Sequence, residues 1–218
     1  MTTDITPFTV AIPSSELEDL KQRLEHARWP EKETCDDWSQ GIPLKYTQEL
    51  AHYWATEYDW RRFEKKLNSW PQFMTTVEGI DIHFIHQTSP HENALPLIIS
   101  HGWPGSIVEF HKVIDALTNP TEHGGRAEDA FHVVAPSLPG YGFSGKPSST
   151  GTSVEKIGEM WGLLMARLGY SRYVAQGGDW GSMVTQSMGM TEIQHCAGIH
   201  INMPIVAPDP DTMDNLTA

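Results

Sequence analysis

Cysteine is nearly absent: Cys35 and Cys196 are the only two in 218 residues. That is too few for a disulfide framework, and neither lies in a C-x-x-C pair. A reducing compartment, hence a cytoplasmic location, is the expectation. Basic residues are also scarce, with 15 Lys and Arg against 28 Asp and Glu and a formal net charge of −13. Nucleic-acid affinity rests on clustered cations, so this balance excludes a phosphate-tracking surface and suggests a small or neutral partner. No uncharged run approaches the roughly eighteen residues that a membrane span needs. The opening Met1-Thr2-Thr3-Asp4-Ile5-Thr6-Pro7 has no basic region followed by an apolar core. Neither a membrane span nor secretion is expected, which makes Asn215-Leu216-Thr217 a chance glycosylation sequon. What remains is an ordinary globular composition, 39% hydrophobic and 20% charged, so disordered and collagen-like classes are excluded.

The chemistry concentrates in Gln176-Gly177-Gly178-Asp179-Trp180-Gly181-Ser182. A short strand precedes it at 171–175, and an apolar helical run follows at 183–190. Glycines stand two before and two after Asp179, the G-x-nucleophile-x-G pattern of a strained strand-to-helix elbow. A carboxylate there is ionised without help from a base and can attack carbon to leave an ester. The heptapeptide alone leaves a second reading open, a glycine-rich turn in which Asp179 is an ordinary helix cap.

Taken in order, the chain begins with an extended segment over 8–13. Ser15 and Glu18 read as a capping box for a helix striped by Leu17, Leu20 and Leu24, which Trp29-Pro30 should stop. A second helical run, from Pro43 to Leu67, is rich in aromatics (Tyr46, Tyr53, Trp54, Tyr58, Trp60 and Phe63), expected as packing rather than a cofactor site. From Gln72 the period falls to two, and a hairpin turns at Glu78-Gly79. His83 and His86 on it read as exposed, without metal-site spacing. Buried strands are expected over 96–100, 131–136 and 197–203, a helix from the first of these loops to Leu117, and another striped by Val154, Ile157, Trp161, Leu164 and Leu168. Strands alternating with helices imply an α/β fold with a mostly parallel sheet, ligands binding beyond the carboxyl ends of the strands. The glycine-rich loops at 101, 137 and 177 leave at that edge. Gly140 to Gly145 match G-x-G-x-x-G literally, but a loop follows where a dinucleotide site needs a helix.

Asp179 supplies a nucleophile, and the backbone N–H groups of Trp180 and Trp103 could converge on one oxygen as an oxyanion hole. At this point the sequence resembles the microsomal-type and fungal epoxide hydrolases of the α/β-hydrolase superfamily. The motifs are Ala27-Arg28-Trp29-Pro30, Ile80-Asp81-Ile82-His83-Phe84, His101-Gly102-Trp103-Pro104-Gly105-Ser106, Ser137 to Ser144, Gly177 to Gly181, and His200 to Pro204. The resemblance implies an N-terminal epoxide hydrolase domain with the first hairpin (1–90) before an α/β-hydrolase core (91–218). It also implies Asp179 as nucleophile toward a small apolar epoxide, with the loop of His101, Gly102 and Pro104 shaping the oxyanion hole, and no metal or cofactor. In that family cap tyrosines protonate the epoxide oxygen, and a histidine with an acid activates water. Thirty-nine residues follow Asp179, and their histidines, His195 and His200, fall before and within the last strand rather than on a loop beyond it. The expectation is a chain that carries the elbow but lacks cap, acid and base, and so does not turn over. Alternatives are a haloalkane dehalogenase-like hydrolase, which shares the D-W-G elbow, and a non-catalytic assembly module that oligomerises through an exposed sheet edge.

Overall fold

Residues 4–206 are described by the computed structural model, and they fall into two units, one over Val10–Ser69 and the other made of the residues on either side of it. The first unit is helical: α1 (Ser14–Glu25), α2 (Leu44–Thr56) and α3 (Trp60–Leu67). Leu17, Leu20 and Leu24 are the half-buried positions of α1, the stripe their spacing predicts. The capping box does not form. Pro13 occupies the N-cap position without a side-chain cap, which places Ser15 inside the first turn. The helix also ends at Glu25, five residues before Pro30, because the backbone N–H and ring Nδ1 of His26 both close on the Gln22 carbonyl, at 3.0 and 2.8 Å.

The expected helix over 43–67 is two helices. The N–H groups of Glu57 and Tyr58 converge on the Tyr53 carbonyl and end α2. Asp59 then caps α3 by accepting from the Arg61 N–H at 2.9 Å. Its aromatics are not a core either: Tyr46, Tyr53 and Trp54 are exposed, and Tyr58, Trp60 and Phe63 are half-buried. The fully buried side chains of α2 and α3 are Ala55 and Leu67, and a unit this small has too little interior for six aromatic rings.

The second unit is built on seven strands: β1 (Thr6–Phe8), β2 (Gln72–Val77), β3 (Ile80–Gln87), β4 (Leu95–Ser100), β5 (Phe131–Pro136), β6 (Tyr173–Gly177) and β7 (Cys196–Ile201). Their order in the sheet is β1-β2-β3-β5-β4-β6-β7, antiparallel from β1 to β5 and parallel from β5 to β7. The hairpin turns where expected, with positive φ at both Glu78 (50°) and Gly79 (83°), and Val77 faces Ile80. Three further helices, α4 (Ile114–Thr118), α5 (Val154–Arg167) and α6 (Trp180–Thr191), complete it. The expected helix up to Leu117 is broken into a 3₁₀ turn, Ile107–Phe110, and the short α4.

On one face of the sheet Ile82, Phe84, Ile98 and Val134 meet Trp161, Leu164 and Met165 of α5 and Val184 and Met188 of α6. Buried Trp161 finds a polar partner for its indole, donating to Ser100 Oγ at 3.0 Å. Both faces of β3 are covered, so alternation does not expose its histidines. His83 is fully buried, its ring nitrogens within 2.9 Å of Ser137 Oγ and 3.0 Å of Gln72 Oε1. His86 is half-buried against the Tyr170 hydroxyl at 2.8 Å. Burial depresses the His83 pKa from 6.5 to about 4. The Asn215 sequon lies outside the described residues.

Candidate active site

β4, β5 and β6 run parallel, so the loops at 101, 137 and 177 leave the sheet at one edge, as the strand pattern predicts. β6 ends at Gly177, and α6 begins at Trp180, leaving Asp179 at the junction with φ 52° and ψ −127°. Asp179 and Glu78 are the non-glycine residues with positive φ among those described. Such a conformation costs on the order of 1–3 kcal/mol and persists only where the surroundings impose it. The surroundings here are the flanking glycines. A Cβ on Gly177 would run into the Gly181 carbonyl, and one on Gly181 into the Ser100 carbonyl. Asp179 stands in the N-cap position of α6 yet makes no side-chain cap bond. Ser153, by contrast, caps α5 by accepting from the Lys156 N–H at 3.3 Å. The ordinary cap reading therefore does not describe Asp179.

Its carboxylate turns toward the first loop instead. The Trp103 N–H, 76 residues away in sequence, donates to Asp179 Oδ1 at 2.7 Å. Gly102 lies so close that a Cβ there would overlap the carboxylate. The amides of Trp180 and Trp103 hold the Asp179 pKa below the usual carboxylate value, since both stabilise the charged form. Trp103 and Trp180 are both exposed, 66% and 52%.

His101 explains why the Trp103 amide is where it is. Its ring is fully buried: Nε2 accepts from the Leu138 N–H at 3.1 Å, and Nδ1 lies 3.0 Å from the Gly102 carbonyl. A backbone N–H can only donate, so the ring proton sits on Nδ1 and the imidazole is neutral. Burial, the larger influence, lowers its pKa in agreement. One neutral ring thus ties the first loop to the second. The second loop is held in turn, Ser144 Oγ donating to the Ser137 carbonyl at 2.7 Å and accepting from the His83 N–H at 3.0 Å. Gly145 bonds back to Asp81, and no helix opens there, so the G-x-G-x-x-G match is a closed loop. The Trp103–Pro104 peptide is cis.

Of the sequence-predicted residues, Asp179, Trp103, Trp180, His101, Gly102 and Pro104 come together at this edge. His195 and His200 do not. The His195 ring bonds the Ser171 carbonyl at 2.9 Å just ahead of β7, and His200 lies within β7 opposite Gln176. Among the described residues no histidine hydrogen-bonds to Asp179. One residue at the site escaped sequence reasoning. Glu109, in the 3₁₀ turn after the first loop, brings its carboxylate against Gly105. Its only signal in sequence is a lone acid in the run Ile107-Val108-Glu109-Phe110. Burial first, and the Asp179 charge to a lesser degree, raise its pKa, while the Gly102 amide opposes them.

Comparison with known proteins agrees with this architecture. A family model for the epoxide hydrolase N terminus matches residues 5–110, and one for the alpha/beta hydrolase fold matches residues 96–216. A protein of Stigmatella aurantiaca, provisionally named an epoxide hydrolase, is 56% identical over 205 residues, 94% of this chain and 47% of its own. Epoxide hydrolase 1 of Oryctolagus cuniculus is 39% identical over 206 residues, 93% of this chain and 45% of its own. Among solved structures, juvenile hormone epoxide hydrolase from the silkworm Bombyx mori superposes with a TM-score of 0.87 at 33% identity, covering 98% of this chain and 50% of that one. The Aspergillus niger epoxide hydrolase gives 0.83 at 35% identity, covering 99% and 57%. The chain spans about half the length of the relatives it matches. It belongs to the alpha/beta hydrolase fold family, in the epoxide hydrolase group that its N-terminal region marks.

Proposed function

We propose that this chain carries the epoxide-opening site of an epoxide hydrolase, with Asp179 as nucleophile. The observation that supports it most is the Trp103 N–H on Asp179 Oδ1. With Oδ1 held, the second carboxylate oxygen is the one that attacks an epoxide carbon. The C–O bond of the ring breaks, the released alkoxide takes up a proton, and a hydroxyalkyl ester of Asp179 remains. Oδ1 then becomes the ester carbonyl oxygen. When water adds to that carbonyl, the negative charge develops where the Trp103 and Trp180 N–H groups lie, and each such donor contributes about 3 kcal/mol to the transition state. His101, Gly102 and Pro104 form the loop that carries the Trp103 donor.

Loss of a general base typically costs on the order of 10⁴-fold, and none contacts Asp179 among the described residues. This chain therefore forms the ester faster than it releases diol. Incubated with an aryl epoxide, it should gain one epoxide mass in intact-mass spectra, with the label on Asp179, and Asp179→Asn should gain none. Absence of the adduct would overturn the nucleophile assignment; many diols released per chain would overturn the ester accumulation.

The D-W-G elbow by itself would suit a haloalkane as well, and the epoxide hydrolase N terminus at residues 5–110 favours the small apolar epoxide. Two further parts belong to the same reading. The open edge of β7 supports a homo-oligomer, and the free thiols of Cys35 and Cys196 support a reducing, cytoplasmic setting. No helix among the described residues is long and apolar enough to cross a membrane.

A further inference from the structure

Glu109 is mounted on a rigid base. Ser106 Oγ caps its 3₁₀ turn by accepting from the Val108 N–H at 3.2 Å, the Glu109 N–H donates to the Ser106 carbonyl at 3.0 Å, and Ile107 and Phe110 on either side are buried. From that base the side chain folds back onto the preceding loop. A Cβ on Gly105 would overlap Glu109 Oε1 and stand 2.6 Å from its Cδ, so the carboxylate rests directly on the backbone there. The same carboxylate lies within electrostatic reach of the Gly102 N–H, which favours its charged form. It thus rests on the loop just after Trp103-Pro104, and the peptide between Gly102 and Trp103 is the one whose N–H meets Asp179 Oδ1. A second carboxylate near Asp179 is electrostatically unfavourable, and what it contributes in return is a fixed support for the first loop.

We propose that Glu109 is a positioning residue for the Trp103 donor: by packing on Gly105 beside the Gly102 N–H, it sets the orientation of the peptide that binds Asp179. Its consequence for catalysis rests on the nucleophile reading of Asp179; its consequence for the Trp103 hydrogen bond does not. Glutamine keeps an acceptor oxygen at the same reach, whereas aspartate is one methylene short and alanine has none.

The ¹⁵N-labelled 218-residue chain provides a readout independent of activity, the amide proton of Trp103. A bond to a carboxylate places that proton downfield. Glu109→Ala should move it upfield and speed its exchange with water, with the rest of the spectrum unchanged, while Glu109→Gln should restore most of the wild-type shift. If Glu109→Ala does not fold, Glu109→Asp takes its place with the same expectation. Ester formation on Asp179 by the aryl epoxide should slow roughly ten- to a hundredfold in the Ala or Asp variant, the scale of a displaced reacting group, and by much less in the Gln variant. A Trp103 amide indifferent to Glu109→Ala or Glu109→Asp would overturn the proposal even where the ester forms normally. If the amide moves as expected but no chain, wild type included, forms the ester, the nucleophile reading fails and the positioning role stands.

Discussion

At the scale of single residues, Asp179 carries backbone strain at the position proposed for the nucleophile. Its φ of 52° is a conformation glycine adopts freely and other residues resist. Asp179→Ala and Asp179→Gly both remove the carboxylate and its bond to the Trp103 amide, and differ chiefly in that backbone term. Glycine should therefore leave the chain more stable than alanine by about 1 kcal/mol, the strain relieved less the extra freedom of glycine in the unfolded chain. Urea unfolding of the two variants measures it, and equal stability would mean that the elbow is unstrained. The spacing of Gly177, Asp179 and Gly181 was legible because the pattern lies within five consecutive residues, although the carbonyl that requires Gly181 to be small belongs to distant Ser100. Glu109 was not, because its partners are backbone groups of a loop, and no pattern of side chains records which acid a loop amide will find.

At the scale of elements, periodicity located the strands well and the helices less well. β4 and β5 stand within a residue of expectation, since an apolar run between polar loops has few other places to go. The run from Pro43 to Leu67 read as one helix because its apolar pattern continues across the break, whereas a single capping side chain, Asp59, decides that α3 starts afresh. β7 is the element with an outward consequence. Among the described residues it pairs with β6 on one side only, and most of its side chains are exposed, Ile199 at 43%. An open edge with apolar side chains is a template for another strand. The chain should elute from size exclusion as a concentration-dependent oligomer, and His200→Lys, which sets a charge on that edge, should shift it toward monomer. A monodisperse wild-type monomer would contradict both the self-association and its assignment to β7.

At the scale of the whole molecule, the buried histidines make stability depend on pH. His83 takes a proton in the folded protein only near its depressed pKa of about 4, whereas the unfolded chain takes one at about 6.5. Its contribution is therefore complete above about pH 6.5 and is lost as pH falls toward 4, up to about 3 kcal/mol for this one residue. His86, His101 and His132 are depressed in the same direction and add to the slope. Urea unfolding at about pH 7 and about pH 4.5 should show the loss, and His83→Gln should reduce it. An unchanged slope in that variant would reassign the effect to the other histidines. By itself the sequence determined the class of fold, the order of the strands' loops and the elbow at Asp179, because apolar periodicity and the glycine spacing around Asp179 are both written in neighbouring residues. Only the tertiary structure decided that His83 is buried, that neutral His101 joins two loops, and that the Trp103 amide and Glu109 stand beside the carboxylate. Those contacts join segments up to 76 residues apart, and they form only when strands far apart in the chain lie side by side in one sheet.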